Sequence, residues 1–103
     1  MEEVVLITAP SEEVGRTLAR TLVEEGLAAC VNLVPGLTSV YRWQGEVVED
    51  REVLLIVKTT TFAFPRLKER VLSLHPYTVP EILALPIAEG HGPYLDWLKE
   101  SVR

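Results

Sequence analysis

Two short apolar runs constrain the fold of this chain more than any other feature. Val4–Ile7 and Val53–Val57 are apolar at every position, rather than at every second position, and are rich in β-branched residues. Such continuity is typical of strands that are buried on both faces, and these strands lie centrally in a sheet. With 103 residues, the chain has room for one domain, spanning residues 1–103, with a two-layer fold.

Two amphipathic segments predict helices on one face of this sheet. Ser11 is a good N-cap residue, and apolar residues recur after it at three- and four-residue spacing until Gly26, which suits the C′ position. A second helix is expected after Pro65. Its predicted buried stripe consists of Leu67, Val71, Leu72 and Leu74.

The remaining segments predict strands and one further helix. A strand over residues 27–34 is interrupted by a bend or bulge at Pro35-Gly36 and resumes over 38–44, and a turn at 44–46 leads into a strand over 47–60. Residues 81–87 form the last strand, at a sheet edge because of Pro86, and a short helix follows Pro93. The order βαββαβ with an extra C-terminal helix indicates an α+β, ferredoxin-like fold. Because two helices cover one face only, self-association is the expected cover for the other.

Charge and composition exclude several classes of partner. A net charge of −5 opposes binding to nucleic acid or to anionic membranes. The longest apolar run is far shorter than the roughly 20 residues of a membrane-spanning helix. We see no targeting signal and expect a cytoplasmic protein. Thirteen Glu against two Asp, with seven prolines, are typical of a thermophile.

The chain contains none of the familiar enzyme motifs, so a non-enzymatic protein is expected. Cys30 is interpreted as either a small buried hydrophobe or a metal ligand. His75 follows a helix, where it could bond the last carbonyls or bind a metal, and His91 lies between two glycines with no clear role.

Other residues suggest a binding site or simple packing. Tyr41 and Trp43 lie two apart on one strand, as a cross-strand pair or as the wall of a pocket. Lys58 is either an edge-strand charge or an anion-binding group. The segment 75–82 is held rigid by Pro76 and Pro80 and displays a His, a Tyr and a Glu, which suits either a site or a stiff connector.

The chain resembles the CutA divalent-cation tolerance family along essentially its whole length. The matching segments are Ala28–Asn32, Tyr41–Gly45, Glu52–Thr60, His75–Ile82 and Tyr94–Leu98. The resemblance implies a ferredoxin-like subunit in a homotrimer, an architecture similar to that of PII signalling proteins, and an association with Cu(II) or other divalent metal ions. It also implies that Cys30 and His75 are the metal ligands. The additional cysteines of some members are absent, so several thiolates from one subunit cannot form the site.

Three hypotheses follow from these observations. The first is a cytoplasmic homotrimer that binds copper or a similar ion through Cys30 and His75. The second is a PII-like module that senses a small molecule in an intersubunit pocket. The residues expected to line that pocket are Tyr41, Trp43, Lys58, Tyr77, Glu81 and Trp97. The third is a structural or partner-binding trimer with an indirect effect on metal tolerance.

Overall fold

The computed structural model describes all residues, 1–103, as an α+β domain with one four-stranded antiparallel sheet and three helices. The elements, in chain order, are β1 (Glu2–Ala9), α1 (Glu12–Glu24), β2 (Cys30–Trp43), β3 (Glu46–Thr60), α2 (Phe64–Leu74), β4 (Ile82–Pro86) and α3 (Gly92–Ser101). The strand order is β2-β3-β1-β4. The two continuous apolar runs therefore lie on the central strands, and the strand that contains Pro86 lies at an edge, as predicted.

Local signals explain where the elements begin and end. The Ser11 hydroxyl accepts a hydrogen bond from the Val14 amide at 3.2 Å and caps α1. Gln44 and Gly45 both have positive φ and form the two-residue turn of the β2–β3 hairpin, in which Trp43 pairs with Glu46. The second helix differs from its prediction, because only Leu67 and Val71 of the expected stripe are buried. Leu72 is 50% exposed because it lies well around the helix from Leu67 and Val71. Leu74 is on the same side as those two residues, but it is the last residue of α2 and is 36% exposed.

The core lies between the sheet and the first two helices. Alternate residues of the central strands, including Val5, Ile7, Leu55 and Val57, pack with Leu18, Leu22, Leu67 and Val71 of α1 and α2. Pairing places the other set of strand residues on the opposite side of the sheet. We call that side the open face, and its apolar residues include Val4, Leu6, Val34, Leu54, Ile56, Leu83 and Leu85.

The open face is only partly covered. The third helix contacts β1 and β3, and its Leu98 is fully buried although it lies outside the core formed with α1 and α2. Leu83 and Leu85 of β4 remain 55% and 49% exposed. None of the three helices has the length and apolar character required to cross a bilayer.

A β-bulge changes which side chains of β2 reach the open face. Val34 pairs with Leu54 and Leu37 with Glu52, so β2 contains one extra residue there, and Gly36 adopts a φ of 75°. Even-numbered residues such as Cys30 lie on the open face before the bulge, whereas odd-numbered residues lie on it afterwards. Tyr41 therefore shares a face with Cys30, near opposite ends of one long strand.

Candidate functional site

The main cavity lies at the end of the open face, between the β2–β3 hairpin and the segment that follows α2. Its volume is about 640 Å³, within the roughly 300–1,000 Å³ typical of small-molecule sites. The residues that line it are Thr8, Ser39, Val40, Tyr41, Trp43, Glu52, Pro76, Tyr77, Thr78, Val79 and Glu81. Four of the six predicted pocket residues, Tyr41, Trp43, Tyr77 and Glu81, are therefore in one cavity of a single chain.

His75 fixes one wall of this cavity. Its ring is 8% exposed, and Nε2 lies 2.7 Å from the Thr8 carbonyl oxygen. The Tyr77 amide donates to Nδ1 at 3.1 Å. Because Nδ1 accepts, Nε2 carries the proton and donates to Thr8, so both ring nitrogens are already used. The side chain thus ties the segment after α2 to β1 and does not bond the last carbonyls of α2, which was the alternative role predicted for it.

Tyr77 connects the segment after α2 to β3 through a hydrogen bond. Its hydroxyl donates to Oε2 of Glu52 at 2.8 Å, and its ring lies 4.8 Å from the His75 ring. Burial, together with the hydrogen bond to Glu52 and the negative charge there, raises the pKa of Tyr77 far above its usual range. The phenol therefore remains a protonated donor at neutral pH.

Glu52 is the residue of this site that sequence reasoning missed. It is only 7% exposed, and Tyr77 is its hydrogen-bond partner. In the sequence it directly precedes the apolar run of β3, and a charged residue at that position was the available signal. Its role depends on Tyr77, which lies 25 residues away, so the sequence alone does not connect the two.

A second tyrosine contact lies on the hairpin. The Tyr41 hydroxyl donates to Oδ2 of Asp50. This hydrogen bond and the negative charge of Asp50 raise the pKa of Tyr41, so it also stays protonated at neutral pH. Both tyrosines are therefore held by carboxylates.

Lys58 and Trp97 lie outside the cavity. Lys58 is on central strand β3, so it is not the edge-strand charge that was one of its predicted roles. Its ammonium group donates to Oδ1 of Asn32 and lies 4.0 Å from the Cys30 sulfur. Trp97 of α3 packs against Tyr94, with ring centroids 5.4 Å apart.

Cys30 begins β2 at the other end of the open face and is partly exposed rather than part of the core. The pKa of the nearby Tyr94 is raised, first by burial and then by its contact with Cys30. His91 is exposed at the start of α3 and makes no capping hydrogen bond.

The two predicted metal ligands do not meet within one chain. Cys30 pairs with Lys58, which pairs with Val4, whereas His75 binds the carbonyl of Thr8. Four residues of strand between Val4 and Thr8 correspond to roughly 13 Å. No group of three or more His, Cys, Asp or Glu side chains suited to a metal ion occurs in the chain. One subunit alone therefore does not provide a set of donors that fits a specific divalent-metal site.

Comparison with known proteins gives a single family. The family model for the CutA1 divalent ion tolerance protein matches residues 3–101. The divalent-cation tolerance protein CutA of Thermus thermophilus is 79% identical over 101 residues, which cover 98% of each chain. The mouse protein CutA is 49% identical over 94 residues, which cover 91% of this chain and 53% of the mouse protein, so the chain spans about half its length.

Solved structures agree with this assignment. The divalent cation tolerance protein (Cut A1) from Thermus thermophilus superimposes with a TM-score of 0.98 at 78% identity, covering 100% of both chains. The family model matches nearly the whole chain, and the two Thermus thermophilus comparisons give 79% and 78% identity. The chain therefore belongs to the CutA1 divalent ion tolerance family.

Proposed function

We propose that this chain acts in the cytoplasm as a homotrimer that binds copper or a similar divalent ion, and that it has no catalytic activity of its own. Membership of a family named for divalent-ion tolerance supports the link to metal. The observation that carries the proposal is the partly uncovered open face, with Cys30 at one end of it. Because one subunit has too few donors for a metal site, the site would combine ligands from neighbouring subunits that meet at this face.

Cys30 is the stronger of the two candidate ligands. The residue is partly exposed, and its sulfur has long polar contacts, at 3.9 Å from Oδ1 of Asn32 and 4.0 Å from Nζ of Lys58. His75 would have to give up a hydrogen bond to Tyr77 or Thr8 before a ring nitrogen could bind an ion. We therefore expect Cys30→Ser to weaken metal binding more than His75→Ala.

The test is calorimetric titration of chelator-stripped protein with Cu(II) and with Zn(II). Saturable binding that Cys30→Ser abolishes would support the proposal. His91→Ala serves as the matched histidine control because His91 is exposed and its side chain makes no capping hydrogen bond. Identical weak heats from the parent protein and all variants would refute specific metal binding.

Assembly is tested by placing a charge on the open face. Leu85→Glu should dissociate the assembly, because fully burying a leucine is worth roughly 1.5–3 kcal/mol and a carboxylate there would also lose its solvation. Leu72→Glu is the matched control, since Leu72 is 50% exposed on the helical side of the molecule and Leu85 is 49% exposed. Light scattering coupled to size exclusion gives the mass, and a monomeric parent protein would contradict the trimer.

The cavity favours a second candidate function, a PII-like module that senses a small molecule. Its volume and its three aromatic side chains suit an organic ligand better than a bare ion. Metal tolerance would then be an indirect consequence of ligand sensing. A metabolite that raises the melting temperature of metal-free protein would favour this candidate over the first.

A further inference from the structure

We infer that the cavity binds a small organic cation whose ammonium group lies between the carboxylates and the aromatic rings. The inference deepens the second candidate function, on which it rests, and does not depend on metal binding.

The charges around the cavity all have one sign. Glu52 and Glu81 line it, and none of the eleven lining residues is Lys, Arg or His. The alternation of side chains along the hairpin also keeps the neighbouring positive charges away from the cavity. Asp50 lies on the same face of β3 as Glu52, whereas Arg42 and Arg51 occupy the opposite face of the hairpin. A phosphate or carboxylate ligand would meet repulsion here, and a cation would be attracted.

Glu52 supplies a fixed carboxylate for such a ligand. The residue is only 7% exposed, and the Tyr77 hydroxyl donates to its Oε2. An ionised carboxylate has about four acceptor positions, so this single contact leaves most of them free. Oε1 makes no hydrogen bond within the chain, and it is not among the fully enclosed atoms. A donor that enters the cavity can therefore reach a preorganised acceptor.

The aromatic residues favour an organic cation over a metal ion. Trp43, Tyr41 and Tyr77 line the same cavity, and the faces of such rings attract ammonium groups within about 6 Å. A divalent metal prefers several oxygen, nitrogen or sulfur donors, and the chain offers no such cluster. A cavity of about 640 Å³ also has room for carbon around the charged group.

Trp43 provides the readout. The chain has two tryptophans, so in Trp97→Phe protein all tryptophan emission comes from the cavity wall. Titration of this protein with 1-aminobutane and 1,4-diaminobutane is expected to change the emission saturably. The neutral analogues 1-butanol and 1,4-butanediol should bind at least roughly tenfold more weakly, because they lack the charge.

Charge removal tests the carboxylate. In the same background, Glu52→Gln keeps an acceptor for Tyr77 and should weaken amine binding roughly 10- to 100-fold, as expected for loss of a hydrogen bond to a charged group. Glu49→Gln is the matched control, since it removes the same charge from the opposite face of β3 and should leave the affinity unchanged. Glu81→Gln probes the second carboxylate from an exposed loop position, where the risk to folding is small.

The outcomes separate the ligand class from the function. Equal binding of amines and alcohols, or equal effects of Glu52→Gln and Glu49→Gln, would overturn the cationic ligand while leaving a sensing cavity. The same holds if ATP or inorganic phosphate binds and the amines do not. If no probe changes the emission and Glu52→Gln dissociates the assembly, a partner subunit fills the cavity. That result would refute both the cationic ligand and the sensing function.

Discussion

Replacing His75 with alanine is expected to lower the free energy of unfolding by about 3–5 kcal/mol. The ring makes two hydrogen bonds, with the Thr8 carbonyl at 2.7 Å and the Tyr77 amide at 3.1 Å. Each contributes about 1 kcal/mol net, and a buried group left without its partner costs about 1–3 kcal/mol more. Loss of ring packing against Tyr77, now 4.8 Å away, adds to this.

Urea unfolding followed by circular dichroism measures the effect. Parent and variant are compared at one protomer concentration, because the stability of an assembling protein depends on concentration. His91→Ala is the control, since His91 is exposed and its side chain caps nothing, and it should change stability by no more than about 0.5 kcal/mol. If His75→Ala and His91→Ala unfold at the same urea concentration, the hydrogen bonds of His75 to Thr8 and Tyr77 do not stabilise the fold.

A third variant separates the structural role of His75 from metal binding. Glutamine offers one amide donor and one carbonyl acceptor, so His75→Gln can replace both hydrogen bonds but is a poor ligand for copper or zinc. If His75 is structural, His75→Gln should recover much of the stability lost in His75→Ala and should bind metal like the parent protein. Full stability with lost metal binding would instead identify His75 as a ligand.

Further predictions concern the stability of the scaffold. The Arg70 guanidinium hydrogen-bonds Glu25 and lowers its pKa, so the pair contributes above the ordinary Glu pKa and the contribution is lost as the pH falls through the lowered value. Arg70→Ala should therefore be less stable than the parent at pH 7, with a difference that shrinks in acid; urea midpoints that differ equally at pH 7 and pH 3 would contradict this. Gly26→Ala should cost about 1–2 kcal/mol from its φ of 72°, with additional crowding because a Cβ would lie 2.9 Å from Cδ of Arg103. Gly36→Ala has a similar φ of 75° in open space, so it should cost less than Gly26→Ala in thermal unfolding, and the reverse order would refute the crowding.

The sequence predicted the fold well where the signal was local. The apolar runs of β1 and β3 identified the central strands, and Ser11 marked the start of α1, because these features act over a few neighbouring residues. The buried stripe of α2 was predicted too broadly, since Leu72 and Leu74 are exposed. Apolar character alone shows neither how far around the helix burial extends, which matters for Leu72, nor whether it continues to the last residue of the helix, which matters for Leu74.

The site depended on long-range pairing, which the sequence does not contain explicitly. An interruption at Pro35-Gly36 was predicted, but the face shared by Tyr41 and Glu52 follows only from the pairing of β2 with β3 across that bulge. Likewise, Lys58 was assigned to the pocket without knowledge of which residue of β2 it would pair with. Its position level with Cys30 places it at the other end of the sheet face.

The bulge also explains why one face of the sheet has two chemically different ends. Before it, Cys30 and Asn32 lie beside Lys58, a thiol and an amide next to a positive charge. After it, the shifted alternation brings aromatic side chains to the side of β3 that carries Glu52, and leaves the arginines behind the hairpin. If β2 kept the alternation of Cys30 and Asn32 through this point without a bulge, Arg42 rather than Tyr41 and Trp43 would lie on the face of Glu52, and its charge would favour an anion. The bulge therefore determines which side chains of β2 share the cavity with Glu52.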